Sequence, residues 1–203
     1  MSSSPRATTT RSTLVVIDAQ PKLMSVVPRA DAAMRQIQFL IDVARILKVS
    51  TWASAQYPQR LGDICPSIQG AFDQVSHKRD FSAANCESAD GRFLDGEWMD
   101  SKRDQIVVTG FETSICVMQS VLDWLSRDRQ VFVVVDAVAT RNSLDHGIAL
   151  DRMRCAGAVM VTAEMLAFEW LGTSTHPQFR EVSALVKQNM ADVAKMHQQN
   201  VDE

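Results

Sequence analysis

The 203-residue chain contains no apolar stretch close to the roughly 20 residues that a membrane-spanning helix needs, which excludes a helical span. CxxC and HExxH are missing, and the four histidines, at 77, 146, 176 and 197, lie far apart. The usual zinc signatures are thereby removed. The four cysteines, at 65, 86, 116 and 155, follow no tight spacing, so reduced thiols are expected rather than a disulfide framework. The 21 basic residues are scattered among 24 acidic ones, for a formal charge of -3. No basic field for nucleic acid results, and neither nucleic acid nor membrane is an expected partner. The start MSSSPRATTTR lacks the apolar core of a secretory signal, which points to an intracellular, cytoplasmic chain. Its Ser, Thr and Arg content without acid leaves an organelle address open.

What is present suffices for one core: 46% of residues are hydrophobic and 22% charged. One folded domain is expected over 12–195, between a disordered tail at 1–11 and a frayed end at 196–203. Short apolar runs alternate with longer amphipathic ones, the pattern of an α/β fold. Strands are expected at 13–17, 49–53, 75–78, 105–109, 131–135 and 158–161. Helices are expected at 31–47, 114–126 and 144–155, the last stopped by Gly157, and a closing helix opens near Pro177. Continuous apolar strands separated by helices imply a parallel sheet covered on both faces, with ligands beyond the carboxyl ends of its strands.

Three residues fall at or just past such ends. Asp18 closes the first strand, Lys78 lies in HKRDFS, and Cys116 follows the fourth strand where a helix begins. Taken singly each has a plain structural use: a turn cap, a solvated lysine, a packed thiol. Together they supply a base, a positive charge and a nucleophile. A helix start adds unsatisfied N–H groups that can receive an oxyanion. Asp136, ending VFVVVD, reads as a turn or cap residue.

The ordered segments VVIDAQ, HKRDFSA, IVVTGFETSICV and VFVVVDAVATRNSLDH resemble the isochorismatase-like cysteine hydrolases, a superfamily that includes nicotinamidases and N-carbamoylsarcosine amidohydrolases, over residues 12 to 187. AQYPQRLG and HPQFREVSALVK are similar to the isochorismatase domain-containing branch. The resemblance implies a three-layer Rossmann-like fold with a six-stranded parallel sheet in the order 3-2-1-4-5-6 and the catalytic triad Asp18, Lys78 and Cys116. It also implies a cis peptide between Phe111 and Glu112, aiming the amides of Glu112 and Cys116 into an oxyanion hole, and a homo-oligomer, dimer or tetramer. Nicotinamidases place an Asp-x-His metal motif where this chain has SAQYPQ, so neither metal nor cofactor is expected. Gln20, Gln56, Tyr57, Phe81 and Trp98 are the candidates for lining a small-molecule pocket. The implied activity is metal-independent hydrolysis of a small amide or related carbonyl compound through a Cys116 thioester. Vinyl ether hydrolysis and a non-catalytic binding or scaffold role are the alternatives.

Overall fold

The computed structural model describes residues 6–86 and 103–199. Chain order is β1 (Ser12–Ile17), a one-turn α1 (Pro21–Met24), α2 (Ala30–Leu47), β2 (Ser50–Gln56), a one-turn α3 (Pro58–Leu61) and β3 (Gln74–Lys78). After these come β4 (Gln105–Phe111), α4 (Met118–Ser126), β5 (Gln130–Ala139), α5 (Ser143–Cys155), β6 (Val159–Val161), α6 (Ala163–Leu171) and α7 (Phe179–Gln199). The strands form one parallel sheet in the order β3-β2-β1-β4-β5-β6.

Alternation along each strand divides the core into two faces. Leu14, Val16, Val107, Phe132 and Val134 pack against α2, α6 and α7. Val15, Ile17, Trp52, Ile106, Val108 and Val133 pack on the other side with Cys116 and with Val121 and Trp124 of α4. Nearly every strand position is buried, as a sheet covered on both faces requires.

Several local expectations are revised. Residues 6–11 are not a free tail. Ala7 is buried and donates to Glu169 Oε2 at 2.7 Å, Thr8 N–H donates to Gln105 Oε1 at 2.8 Å, and Arg11 pairs with Asp104 at 2.6 Å. β5 runs on to Ala139, four residues past the expected stop, because Asp136 does not end it. The partner of β4 jumps from Val133 to Val138 across this irregularity, and Asp136 Oδ1 accepts Ala163 N–H at 2.9 Å, capping α6 as its strand-end position suggested. Helix α6 was not foreseen, although Thr162 caps it through Met165 N–H and buries Leu166, Trp170 and Leu171 behind that cap. Pro177 precedes α7, where His176 Nδ1 accepts Gln178 N–H at 3.2 Å. Among the described residues no helix is long and apolar enough to cross a membrane.

The peptide between Phe111 and Glu112 is trans, as is every other among the described residues. The expected cis bond is not found; the unusual backbone here is at Gly110, still within β4. Gly110 takes φ 115, where an L side chain is strained, and Glu112 then enters the next turn extended at φ -71 and ψ 120. A trans bond avoids the roughly 3 kcal/mol that a non-proline cis form costs.

Gly110 also sits against Ile17 in the β1–β4 register, so close that an added Cβ would lie 2.0 Å from Ile17 O. Gly110→Ala combines backbone strain with overpacking against main chain that cannot move aside. It should destabilise the protein by about 3–5 kcal/mol, the sum of those two costs, measured by equilibrium urea unfolding. An unchanged midpoint would contradict this packing.

Candidate active site

Strand register brings the expected residues together. Ile17 pairs with Ser54 on one side and Gly110 on the other, and Gln56 pairs with Lys78, so the carboxyl ends of β3, β2, β1 and β4 finish side by side. One residue beyond Ile17, Asp18 leaves the extended region for φ 50 while its N–H donates to Ser54 O at 3.0 Å. Aspartate tolerates this left-handed conformation better than most side chains.

Asp18 and Lys78 form a buried ion pair, Nζ to Oδ2 at 2.7 Å, with side chains 0% and 1% exposed respectively. Ser54 Oγ donates to Asp18 Oδ1 at 2.7 Å. The Lys78 ammonium also donates to Gln56 Oε1 at 2.5 Å, Phe81 O at 3.0 Å and Asp80 O at 3.3 Å. A buried ammonium thus meets oxygen on every side, the condition for carrying charge away from water.

Cys116 lies in a single π-helical turn, Thr113–Val117, that leads into α4, and its buried thiol stands within the field of both Asp18 and Lys78. Such turns occur frequently at functional sites. Ile115 N–H and Val117 N–H both donate to Glu112 O at 3.1 Å. The Cys116 amide lies between them in the first turn, where helix N–H groups commonly lack an intrahelical acceptor. Ser120 Oγ donates to Cys116 O at 2.6 Å and accepts Ala83 N–H at 2.7 Å, tying the thiol-bearing turn to the loop that follows Lys78.

The Cys116 thiol is held up at about 12, first by burial and then by the Asp18 carboxylate, with the Lys78 ammonium opposing both. The resting residue is therefore a neutral thiol beside a base, not a standing thiolate. Cys86, also buried, is likewise held up at about 12 chiefly by burial, within the field of Lys78 and Asp18.

The pocket candidates separate. Gln20 is fully buried, and its carboxamide bonds Gln56 N–H at 2.8 Å, Gln56 O at 3.1 Å and Gly62 O at 2.5 Å. Gln56 spends its own side chain on Lys78 and on Arg79 O, the latter at 2.8 Å. Both amides are internal clamps rather than free ligand contacts, a direction of side chain that loop sequence does not encode. Tyr57 stacks with Arg60 and Arg79 at 5.6 and 5.2 Å. Phe81 is exposed, Phe111 is buried in the core, and Trp98 lies outside the described residues. Among the described residues no three His, Cys, Asp or Glu side chains gather as metal ligands.

Residues not foreseen complete the surroundings: Ser54, Ser120, and Thr140 and Arg141 just past the end of β5, which meet the carboxylate of Glu112, a residue expected only to offer its amide. A cleft of about 390 Å³ lies along Ser114, Ile115, Thr140, Arg141 and Asn142, and another of about 370 Å³ lies between Phe81 and Gln119.

Comparison with known proteins places this arrangement. The family model described as the isochorismatase domain matches residues 12–165. The bovine isochorismatase domain-containing protein 2 is 38% identical over 153 residues, covering 75% of this chain and 72% of that protein. The structure of a MAR1 ribonuclease from Caenorhabditis elegans superimposes with a TM-score of 0.80 at 33% identity, covering 89% of this chain and 92% of that one. The YcaC gene product of Escherichia coli, described as an octameric hydrolase of unknown specificity, superimposes at 0.79 with 20% identity over 100% and 99% of the two chains.

The charge order at the thiol yields a signed prediction. Asp18→Asn removes a group that raises the thiol and leaves Lys78, which lowers it, so the pH midpoint of Cys116 alkylation by iodoacetamide should fall by about one unit or more. Lys78→Met should move it the other way. Mass spectrometry of the Cys116 peptide distinguishes it from the other cysteines; an unmoved midpoint in both variants would show that the three groups do not interact.

Proposed function

The chain belongs to the isochorismatase family, and on that premise we propose that it is a metal-independent cysteine hydrolase of a small amide or related carbonyl compound. The observation that supports this reading is a buried thiol set in the field of a buried Asp18–Lys78 ion pair, all three at or just past the carboxyl ends of neighbouring strands. Asp18 takes the thiol proton as Cys116 Sγ attacks the substrate carbonyl, and the Cys116 amide receives the oxyanion. Collapse of the tetrahedral adduct breaks the C–N bond. The amine leaves with the proton returned by Asp18, and a thioester remains on Cys116. Water, deprotonated by Asp18, then adds to the thioester carbonyl; the acid is released and the thiol regains its proton. Lys78 holds its ammonium against Asp18 Oδ2 at 2.7 Å. With Phe111–Glu112 trans, the Glu112 amide is not turned toward the oxyanion by isomerisation, so the Cys116 amide is the donor on which this mechanism relies.

Assembly of several copies is part of the same reading. Leu144 and Ile148, one helical turn apart on α5, are 70% and 61% exposed. An apolar stripe of this kind fits contact with another copy, and light scattering giving a species heavier than 22.6 kDa would bear this out, whereas a monomer at working concentration would refute it.

The likeness to a nematode protein named a ribonuclease favours a second reading, cleavage of RNA. One set of assays separates the possibilities. Turnover of a member of a carboxamide panel, an acyl adduct on Cys116 by mass spectrometry, and a drop of roughly a thousandfold or more in Cys116→Ala are expected for the thioester route. Retained activity in Cys116→Ala would move the assignment to acid-dependent chemistry of the vinyl ether type. Cleavage of a labelled oligoribonucleotide without carboxamide turnover would move it to RNA.

A further inference from the structure

We propose that Glu112 is a positioning residue, a carboxylate that fixes the thiol-bearing turn by strapping it to the carboxyl end of β5. Its kinetic consequence rests on the hydrolase reading above; its effect on the thiol does not.

Glu112 is the last residue before the π-turn and is 5% exposed. Both of its carboxylate oxygens are occupied from the far side of the strand pair. Oε1 accepts Arg141 Nε–H at 2.8 Å, while Oε2 accepts the Thr140 hydroxyl and Arg141 N–H, the latter at 3.3 Å. Its main-chain oxygen meanwhile accepts the amides of Ile115 and Val117, which close the turn around Cys116. One residue therefore grips the turn by its backbone and the β5 edge by its side chain. Two parallel contacts follow the same line: Ser114 Oγ to Thr140 Oγ1 at 3.2 Å, and Thr113 Oγ1 to His146 Nδ1 at 3.1 Å.

A carboxylate this deeply buried is costly unless every lone pair is engaged. Here both oxygens are engaged by Thr140 and Arg141 without a ligand, so the group is committed to the fold rather than to a substrate. What it controls is rotation of the 112–117 segment. A loosened turn would move the Cys116 amide from the oxyanion position and let water reach the sulfur. Since burial is the first cause of the raised thiol, hydration lowers the alkylation midpoint. Arg141, with its side chain 57% exposed over the adjoining cleft, and Thr140 each hold one strap.

The test uses Glu112→Ala, Glu112→Gln, Thr140→Val and Arg141→Ala in the full chain, with thermal melts to establish folding. Glu112→Ala should lower kcat about 100-fold, the effect of an ångström-scale misplacement, with KM within about threefold of wild type. The Cys116 alkylation midpoint should fall by about one pH unit. Glu112→Gln, which keeps one acceptor and a donor, should recover most of both. Thr140→Val and Arg141→Ala should each shift the midpoint part of the way. A wild-type midpoint in folded Glu112→Ala, or a Glu112→Gln no better than alanine, overturns the proposal. If Glu112→Ala does not fold, unmoved midpoints in both Thr140→Val and Arg141→Ala overturn it instead. If wild-type protein turns over no carbonyl substrate, the hydrolase reading fails while the midpoints still decide the strap.

Discussion

The buried pair between Lys78 and Asp18 is the interaction on which the rest of the site depends. Taking an ammonium and a carboxylate out of water costs several kcal/mol per ion, and their attraction offsets this only when the remaining polar valences are met. The structure meets them. Ser54 serves the carboxylate, while Gln56 and the carbonyls of Asp80 and Phe81 serve the ammonium. Gln20 fixes Gln56 in turn, which explains two carboxamides committed to internal bonds in a place where a ligand contact was expected. The pair also sets the state of the sulfur beside it. Burial first, and then the negative charge of Asp18, hold the thiol well above its usual range. A standing thiolate would be open to oxidation and alkylation.

Legibility in the sequence followed the range of the interactions. Six apolar runs gave six strands, and a parallel sheet covered on both faces followed from their lack of alternation. The three reactive side chains were legible because each lies at or just past a strand's carboxyl end, a position visible without knowing its neighbours. Contacts between strands were not. Ser54 meets Asp18 from 36 residues away, and Thr140 meets Glu112 across 28, separations fixed by register rather than by any local pattern. Asp136 misled in one respect: its charge suggested the end of β5, although the strand bends through it and continues, which is what carries Thr140 and Arg141 to the rim. Helix α6 escaped notice because Thr162 was not weighed as a cap.

Family membership and geometry constrain different things. Membership narrows the chemistry to hydrolysis on an isochorismatase-type fold. The geometry gathers the candidate groups from two halves of the sheet, with Asp18 and Lys78 from the ends of β1 and β3 and the Cys116 sulfur from the turn after β4. The polar straps at 112–114 and 140–146 join the second half to β5 and α5. Around them Tyr57, Phe81 and the cleft beside Arg141 stand at the rim.

The opposite edge of the sheet is organised quite differently. At the amino ends of β1, β4 and β5, Gln105 bonds Thr8, Arg6 and Gln130, Ser12 bonds Gln105, and Trp170 bonds Ser12. These amides and hydroxyls keep neighbouring strands in place with no part in any reaction. Strand order is thereby insured at the pole opposite the Asp18–Lys78 pair, so changes in the loops beyond the carboxyl ends leave this anchoring of the sheet untouched.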